Sequence, residues 1–289
     1  MRLPDLAGIT ARIAQAEAQV PHLRPGCEKQ ILWAGEPETR TDLSVLFVHG
    51  FSASPAELRP LPDLVAQGLG ANLYFARLTG HGQDGAALGA ATLEDWERDI
   101  AEALEIAGTI GRDVVIMGCS TGCTLATLAL AKGAKARAVI HVSPNFGLTN
   151  RLAQGLLDMP RAERWAKYIA GHERRFPAIS DDHAAYWTLH YPTQAVHTMA
   201  QAVRAAKRAP VETVTTPALF CYNEKDQVVA ARETRRIIAR WGCDCESYTM
   251  TQTPDDDAMG HIMMGDIFSP KQTEPAAQRI LDWLNRLPD

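Results

Sequence analysis

The stretch Gly118-Cys119-Ser120-Thr121-Gly122 holds the residues with the most evident chemistry. It directly follows the apolar run Val114-Val115-Ile116-Met117 and opens a helical stretch over 121–132. A sharp strand-to-helix turn of this kind holds its serine in a strained conformation and projects the hydroxyl above the sheet edge. The adjoining helix N-terminus favours negative charge there. Small residues at 118 and 122 let strand and helix pass closely. A serine at its free pKa is a poor nucleophile and needs a base. Two later residues fit that need: Asp226 after the run Ala218–Tyr222, and His261 in the loop beyond 246–250. In the order Ser120, Asp226, His261, the acid would hold the imidazole tautomer. The histidine would take the serine proton and return it to the leaving group. His49-Gly50-Phe51 follows another apolar run ending at Val48. The backbone N–H groups of Phe51 and Thr121 are the expected oxyanion hole for the oxygen that turns negative when Ser120 attacks a carbonyl.

Other residues compete for these roles. Glu224 is an alternative acid, with a longer side chain nearer the strand end. Cys119 is a nucleophile by chemistry, but its place in the turn aims it into the fold. Asp255, Asp256 and Asp257 read as a solvated loop, one of which could tune His261. His49 reads as a structural hydrogen-bonding residue, His81 as part of a loop near the site mouth, and His141 as a satisfied core residue. His172, His183, His190 and His197 read as surface residues of an insertion.

These residues need a scaffold. Apolar runs at 43–48, 73–76, 114–117, 138–142, 218–222 and 246–250 alternate with helical stretches at 55–69, 93–109, 121–132, 230–241 and 274–287. Several runs are continuous rather than alternating, as in strands covered on both faces. Such alternation predicts βαβ units and a mostly parallel sheet flanked by helices. The run 28–33 predicts an antiparallel edge strand. Leu6 to Val20 predicts an amphipathic helix on the domain, and Thr92 with Asp95 a helix cap. Over 147–210 the alternation stops, with no convincing strand and punctuation at Pro160, Gly171, Pro177 and Pro192. The predicted division is a core of 1–146 and 211–289 interrupted by a helical insertion at 147–210. Residues 149–210 carry nine Lys/Arg and five Asp/Glu, a net of +4 against −9 for the remainder. This reads as a solvated helical surface, or as a basic lid that attracts anionic substrates. Trp165, Tyr186 and Trp187 are its candidates for lining a substrate pocket, although the same residues could be packing within the insertion.

Composition excludes several classes. The chain has 289 residues, 46% hydrophobic and 22% charged, a globular balance. It has no apolar run of transmembrane length, and charges at Arg12 and Glu17 break the pattern of a secretory signal. Six cysteines at no zinc spacing suggest reduced thiols in a cytoplasm. His-Glu-x-x-His is absent, so no metal site is expected. A pI near 6.0 argues against nucleic acid. Oligomeric state is not legible.

The motifs together resemble the α/β-hydrolase superfamily of serine hydrolases. Within it they are most similar to the bacterial carboxylesterase, monoacylglycerol lipase and lysophospholipase group. The resemblance rests on His49-Gly50-Phe51-Ser52-Ala53-Ser54-Pro55, Leu78-Thr79-Gly80-His81-Gly82, Asp95-Trp96, Gly118 to Gly122, Asp226 with Val228-Val229, and Gly260-His261. It implies an α/β-hydrolase fold with a cap inserted after the sixth strand. It also implies cofactor-free hydrolysis of small-molecule carboxylic esters, monoacylglycerol-like or of other small to medium acyl groups. Thioester, peptide or carbon–carbon hydrolysis on the same residues is the alternative chemistry, and a non-catalytic ligand-binding protein the alternative class. The sequence departs from the group's pattern at Cys119, where a hydrophobic or aromatic residue is usual, and at Cys123.

Overall fold

In the computed structural model, residues 5–159 and 171–288 are described. The strands are β1 (Gln30–Leu32), β2 (Thr41–Val48), β3 (Asn72–Ala76), β4 (Gly111–Cys119), β5 (Ala138–Val142), β6 (Glu173–Arg175), β7 (His190–Pro192), β8 (Ala218–Tyr222) and β9 (Cys245–Thr249). Seven of them form one sheet in the order β1-β3-β2-β4-β5-β8-β9. β1 is antiparallel to β3, and every other neighbouring pair in this sheet is parallel.

Strand alternation explains the continuous apolar runs. Val45, Phe47, Val115, Met117, Ile140, Val142 and Leu219 pack on one face against the helices Leu61–Leu69 and Pro270–Leu284. Leu46, Val48, Ile116, Val139 and Phe220 pack on the other, against Leu93–Ile110 and Thr121–Ala131. Both faces are apolar because both are covered, and each fully buried large side chain contributes about 1.5–3 kcal/mol.

Local signals set the helix ends. Thr92 and Asp95 form a reciprocal capping box at the start of Leu93–Ile110. Pro270 opens the last helix one turn earlier than expected, since its missing N–H costs nothing at the first position. The 55–69 stretch is helical only from Leu61, and 55–60 forms turns. The N-terminal helix spans Ile9–Glu17. Its Glu17 is buried and pairs with Arg77, Nε to Oε2 2.6 Å and Nη2 to Oε1 2.8 Å. Among the described residues, no helix is long and apolar enough to cross a membrane.

The insertion differs from expectation in three ways. It follows β5, the fifth strand rather than the sixth, because the sheet opens with the single short β1 and no earlier strand among the described residues. It is not wholly helical: β6 and β7 pair antiparallel. β6 escapes the apolar pattern because all three of its residues are exposed. Finally, the Gln194–Arg208 helix packs on the sheet's own Thr121–Ala131 helix, with Ala195, Ala202 and Ala206 fully buried in the same core cluster. That helix is a layer of the core although it falls within 147–210.

Candidate active site

Parallel strands carry their following loops to one edge of the sheet, and β2, β4, β5, β8 and β9 each deliver part of this site. Ser120 lies immediately after β4 with φ 47° and ψ −109°, a conformation L residues rarely adopt. Its neighbours explain how the turn closes. A Cβ on Gly122 would stand 2.0 Å from the Val48 carbonyl oxygen, and one on Gly118 2.7 Å from the Cys123 nitrogen. The turn is tied down further by the Ser120 N–H, which donates to the Val142 carbonyl on β5 at 2.9 Å.

The three residues far apart in sequence meet here. His261 Nε2 lies 3.1 Å from Ser120 Oγ, and His261 Nδ1 lies 2.7 Å from Asp226 Oδ2. A carboxylate at Nδ1 puts the ring proton on that nitrogen and leaves Nε2 to accept the serine proton. The other Asp226 oxygen accepts the Val228 and Val229 N–H groups at 2.7 and 2.9 Å, which fixes the carboxylate. All three side chains are largely buried: Ser120 is 7% exposed, Asp226 6% and His261 8%. Burial by itself pushes His261 down. The Asp226 charge and hydrogen bond, aided by the charges of Glu57 and Asp257, more than offset it and hold the ring above its ordinary value.

The loop carrying His261 is held by residues that the apolar pattern does not reveal. Asp257 Oδ2 accepts the N–H groups of His261 and Ile262, both at 2.9 Å. Asn223 Nδ2 donates to the Gly260 carbonyl at 3.0 Å, and Ser143 Oγ donates to the His261 carbonyl. The acidic run therefore divides its work: Asp255 pairs with Lys271, Asp256 caps a turn at Thr253, and Asp257 secures the His261 loop. Asn223 sits one residue past β8 and Ser143 one past β5, the only sequence signal either offered.

Thr121 follows Ser120 directly, and Phe51 follows Gly50, whose ideal Cβ would stand 3.2 Å from Ser120 Cβ. The Thr121 N–H belongs to the first helical residue and has no partner within its helix. His49 is fully buried, with Nε2 accepting the Leu78 N–H at 3.1 Å and Nδ1 donating to the Gly50 carbonyl at 2.8 Å. Burial pushes it down to about 4, so it is a neutral structural residue as expected. His81 is not at a site mouth: it is fully buried between His49, Phe51 and Trp96. His141 is buried as expected but not satisfied. It stacks on Phe220, and neither ring nitrogen has a hydrogen-bond partner among the described residues.

The competing candidates lie elsewhere. Glu224 is exposed and pairs with Arg235. Cys119 is fully buried, and burial pushes its thiol well up. Tyr186 packs on Gly26 in the N-terminal segment. Trp187 is buried in an edge-to-face cluster with His183 and Phe268, and its carbonyl accepts from Arg24. These are packing contacts. Trp165 lies outside the described residues.

Comparison with known proteins places the fold. The chain is 24% identical over 187 residues to a thermostable monoacylglycerol lipase of Bacillus sp. (strain H-257), covering 65% of this chain and 72% of that one. Its fold matches a structure from work on LipS and LipT, two metagenome-derived lipolytic enzymes. That match has a TM-score of 0.72 and 21% identity over 91% of this chain and 99% of the other. A soluble variant of the monoglyceride lipase of Saccharomyces cerevisiae matches with a TM-score of 0.66 and 12% identity, over 91% and 92% of the two chains. The family model described as "Alpha/beta hydrolase family" matches residues 45–272, from within β2 to the start of the last helix, which includes every residue of the site, and the chain therefore belongs to the alpha/beta hydrolase family.

Proposed function

We propose that the chain is a serine hydrolase that cleaves carboxylic esters through an acyl-enzyme on Ser120. The observation that carries this reading is the chain of two hydrogen bonds from Asp226 through His261 to Ser120 at a strained turn. In the first step Ser120 Oγ attacks the ester carbonyl while its proton passes to His261 Nε2. The imidazolium gains from the Asp226 carboxylate, and the oxyanion is met by the N–H groups of Phe51 and Thr121. Collapse expels the alcohol, which takes the proton from His261. Water then attacks the acyl-enzyme with His261 as base, releasing the acid and restoring Ser120.

The names of the similar lipases favour monoacylglycerol-like or other small to medium acyl esters as substrates. In this reading the insertion's described residues 171–193 form a cap over the site. Its support is the Thr188 N–H bond to the Ser52 carbonyl at 2.7 Å, beside Phe51, and the Trp187 contact with Phe268 beyond His261. The test is hydrolysis of a short 4-nitrophenyl ester together with labelling by a fluorophosphonate. Ser120→Ala should abolish labelling and lower kcat/KM by several orders of magnitude. Turnover unchanged in that variant would sink the assignment. A preference for acyl thioesters over the matching esters would move it to the alternative chemistry.

A further inference from the structure

A carboxyl that the hydrolytic steps do not use lies behind the Ser120 turn. Glu57 follows β2 in the 52–60 segment and is 2% exposed. Its Oε2 accepts the Gly50 N–H at 2.6 Å. A Cβ on Gly50 would stand 2.7 Å from Glu57 Oε1 and 3.2 Å from Ser120 Cβ, so only this one residue's thickness separates carboxyl from nucleophile. The Cys119 thiol is one of the groups that pull the same carboxyl down, so the residue that departs from the family pattern before the serine acts on a carboxylic acid buried behind the turn.

The turn has two anchors. Glu57 holds the N–H of Gly50, and His49 Nδ1 holds its carbonyl at 2.8 Å. Carbonyl and N–H of a trans peptide point in opposite directions, so fixing the Gly50 carbonyl aims the Phe51 N–H the other way. A neutral amide could make the Gly50 contact as well as a carboxyl does. What a carboxyl adds is charge. The titratable groups facing Glu57 are Cys119 at the end of β4, Cys123 in the helix that follows, and His261 from the loop beyond β9. Burial pushes both thiols well up, so they stay neutral and His261 is the group whose charge responds.

We propose that Glu57 is a positioning residue of the hydrolase site: its carboxyl locks the Gly50–Phe51 turn against Ser120, and its charge sets how readily His261 takes up a proton. The inference rests on the reading of Ser120 as nucleophile and His261 as base. Burial lifts the Glu57 carboxyl to about 7, against the opposing pull of the Gly50 N–H, the Cys119 thiol and the His261 charge.

The experiment compares the full chain with Glu57→Gln and Glu57→Ala, using the pH profile of kcat/KM on 4-nitrophenyl butyrate. Glutamine keeps an acceptor for Gly50 and loses the charge. Its acid limb should move down by about half a pH unit or more. Alanine loses both, and its plateau kcat should fall about tenfold or more with little change in KM. A residue that served stability alone would lower Tm and leave the limb where it was, and an unmoved limb in Glu57→Gln overturns the proposal. If the substitutions prevent folding, the His261 ring resonances of the unmodified protein decide. Coupling to Glu57 requires a titration broader than one ionisation, and a single-ionisation curve refutes it. Should Ser120→Ala retain turnover, the hydrolase reading itself fails. Should Ser120→Ala be inactive while the Glu57→Gln limb stays in place, only the present inference fails.

Discussion

Replacing Gly122 with alanine adds one methyl group where strand β2 crosses the helix that starts at Thr121. The ideal Cβ would stand 2.0 Å from the Val48 carbonyl oxygen and 2.8 Å from that of His49, whereas real Cβ atoms essentially never come nearer than 3.0 Å. Both obstacles are backbone, so no side chain can rotate away, and the helix and strand must separate by about 1 Å in a close-packed interior. Overpacking of this kind costs about 1–3 kcal/mol, and a rigid wall puts it at the upper end. At roughly 2–4 °C per kcal/mol for a domain of this size, Tm should fall by about 6–12 °C. The same displacement starts at Val48 and passes into His49-Gly50-Phe51. Under the proposed mechanism the Phe51 N–H then moves off the oxyanion, and kcat should fall at least about tenfold, since one such donor is worth about 10²–10³. Gly108, in the Leu93–Ile110 helix, is the control. A Cβ there meets nothing within 4 Å, so Gly108→Ala should raise stability by up to about 1 kcal/mol. Thermal unfolding followed by circular dichroism, alongside ester hydrolysis, reads both effects. A Gly122→Ala protein that unfolds within about 1 °C of the parent would refute the reasoning.

Three further outcomes follow from named interactions. Asp226→Asn removes the charge that stabilises the His261 cation and should lower kcat about 10³–10⁴-fold; a loss below about tenfold would contradict the assigned role. Because the Asp226 charge outweighs burial and holds His261 above 6.5, the acid limb of kcat/KM should be centred above pH 6.5 in the parent and shift down in Asp226→Asn. Stabilisation from this raised value is full below the unfolded pKa and disappears as pH rises through the folded one, so activity and this contribution move in opposite directions with pH. Arg77→Met strands Glu17 in a site where its side chain is 5% exposed, and should cost about 3–5 kcal/mol in urea unfolding at neutral pH. Burial alone pushes Glu17 up, but its pairing with Arg77 brings it below 4.5. The difference between parent and variant should therefore be present above pH 4.5 and narrow as pH falls through the folded value.

The local chemistry of the site was largely legible in the linear chain. Gly118 to Gly122 after an apolar run specifies a tight strand-to-helix turn because a larger residue at 122 collides with backbone. The continuous apolar runs specify strands covered on both faces. Asp226 and His261 could be chosen because loops that follow parallel strands emerge on one edge of the sheet. The Gln194–Arg208 helix was misplaced because its burial uses alanines on one face, a weak apolar signal beside its polar residues, and only its partner, the Thr121–Ala131 helix, makes it part of the core. β6 was invisible because an exposed strand has no hydrophobic period. The spacing of residues along the chain thus picked out the candidate reactive groups. Tertiary packing decided what surrounds them: Asp257 rather than Asp255 or Asp256 on the His261 loop, Glu57 against Gly50, and Ser143 on the His261 carbonyl. The first two are short-range bonds set by turn geometry that carries no apolar pattern, and the third joins residues 118 apart, a distance across which a hydrogen bond leaves no periodicity in the sequence from which to read it.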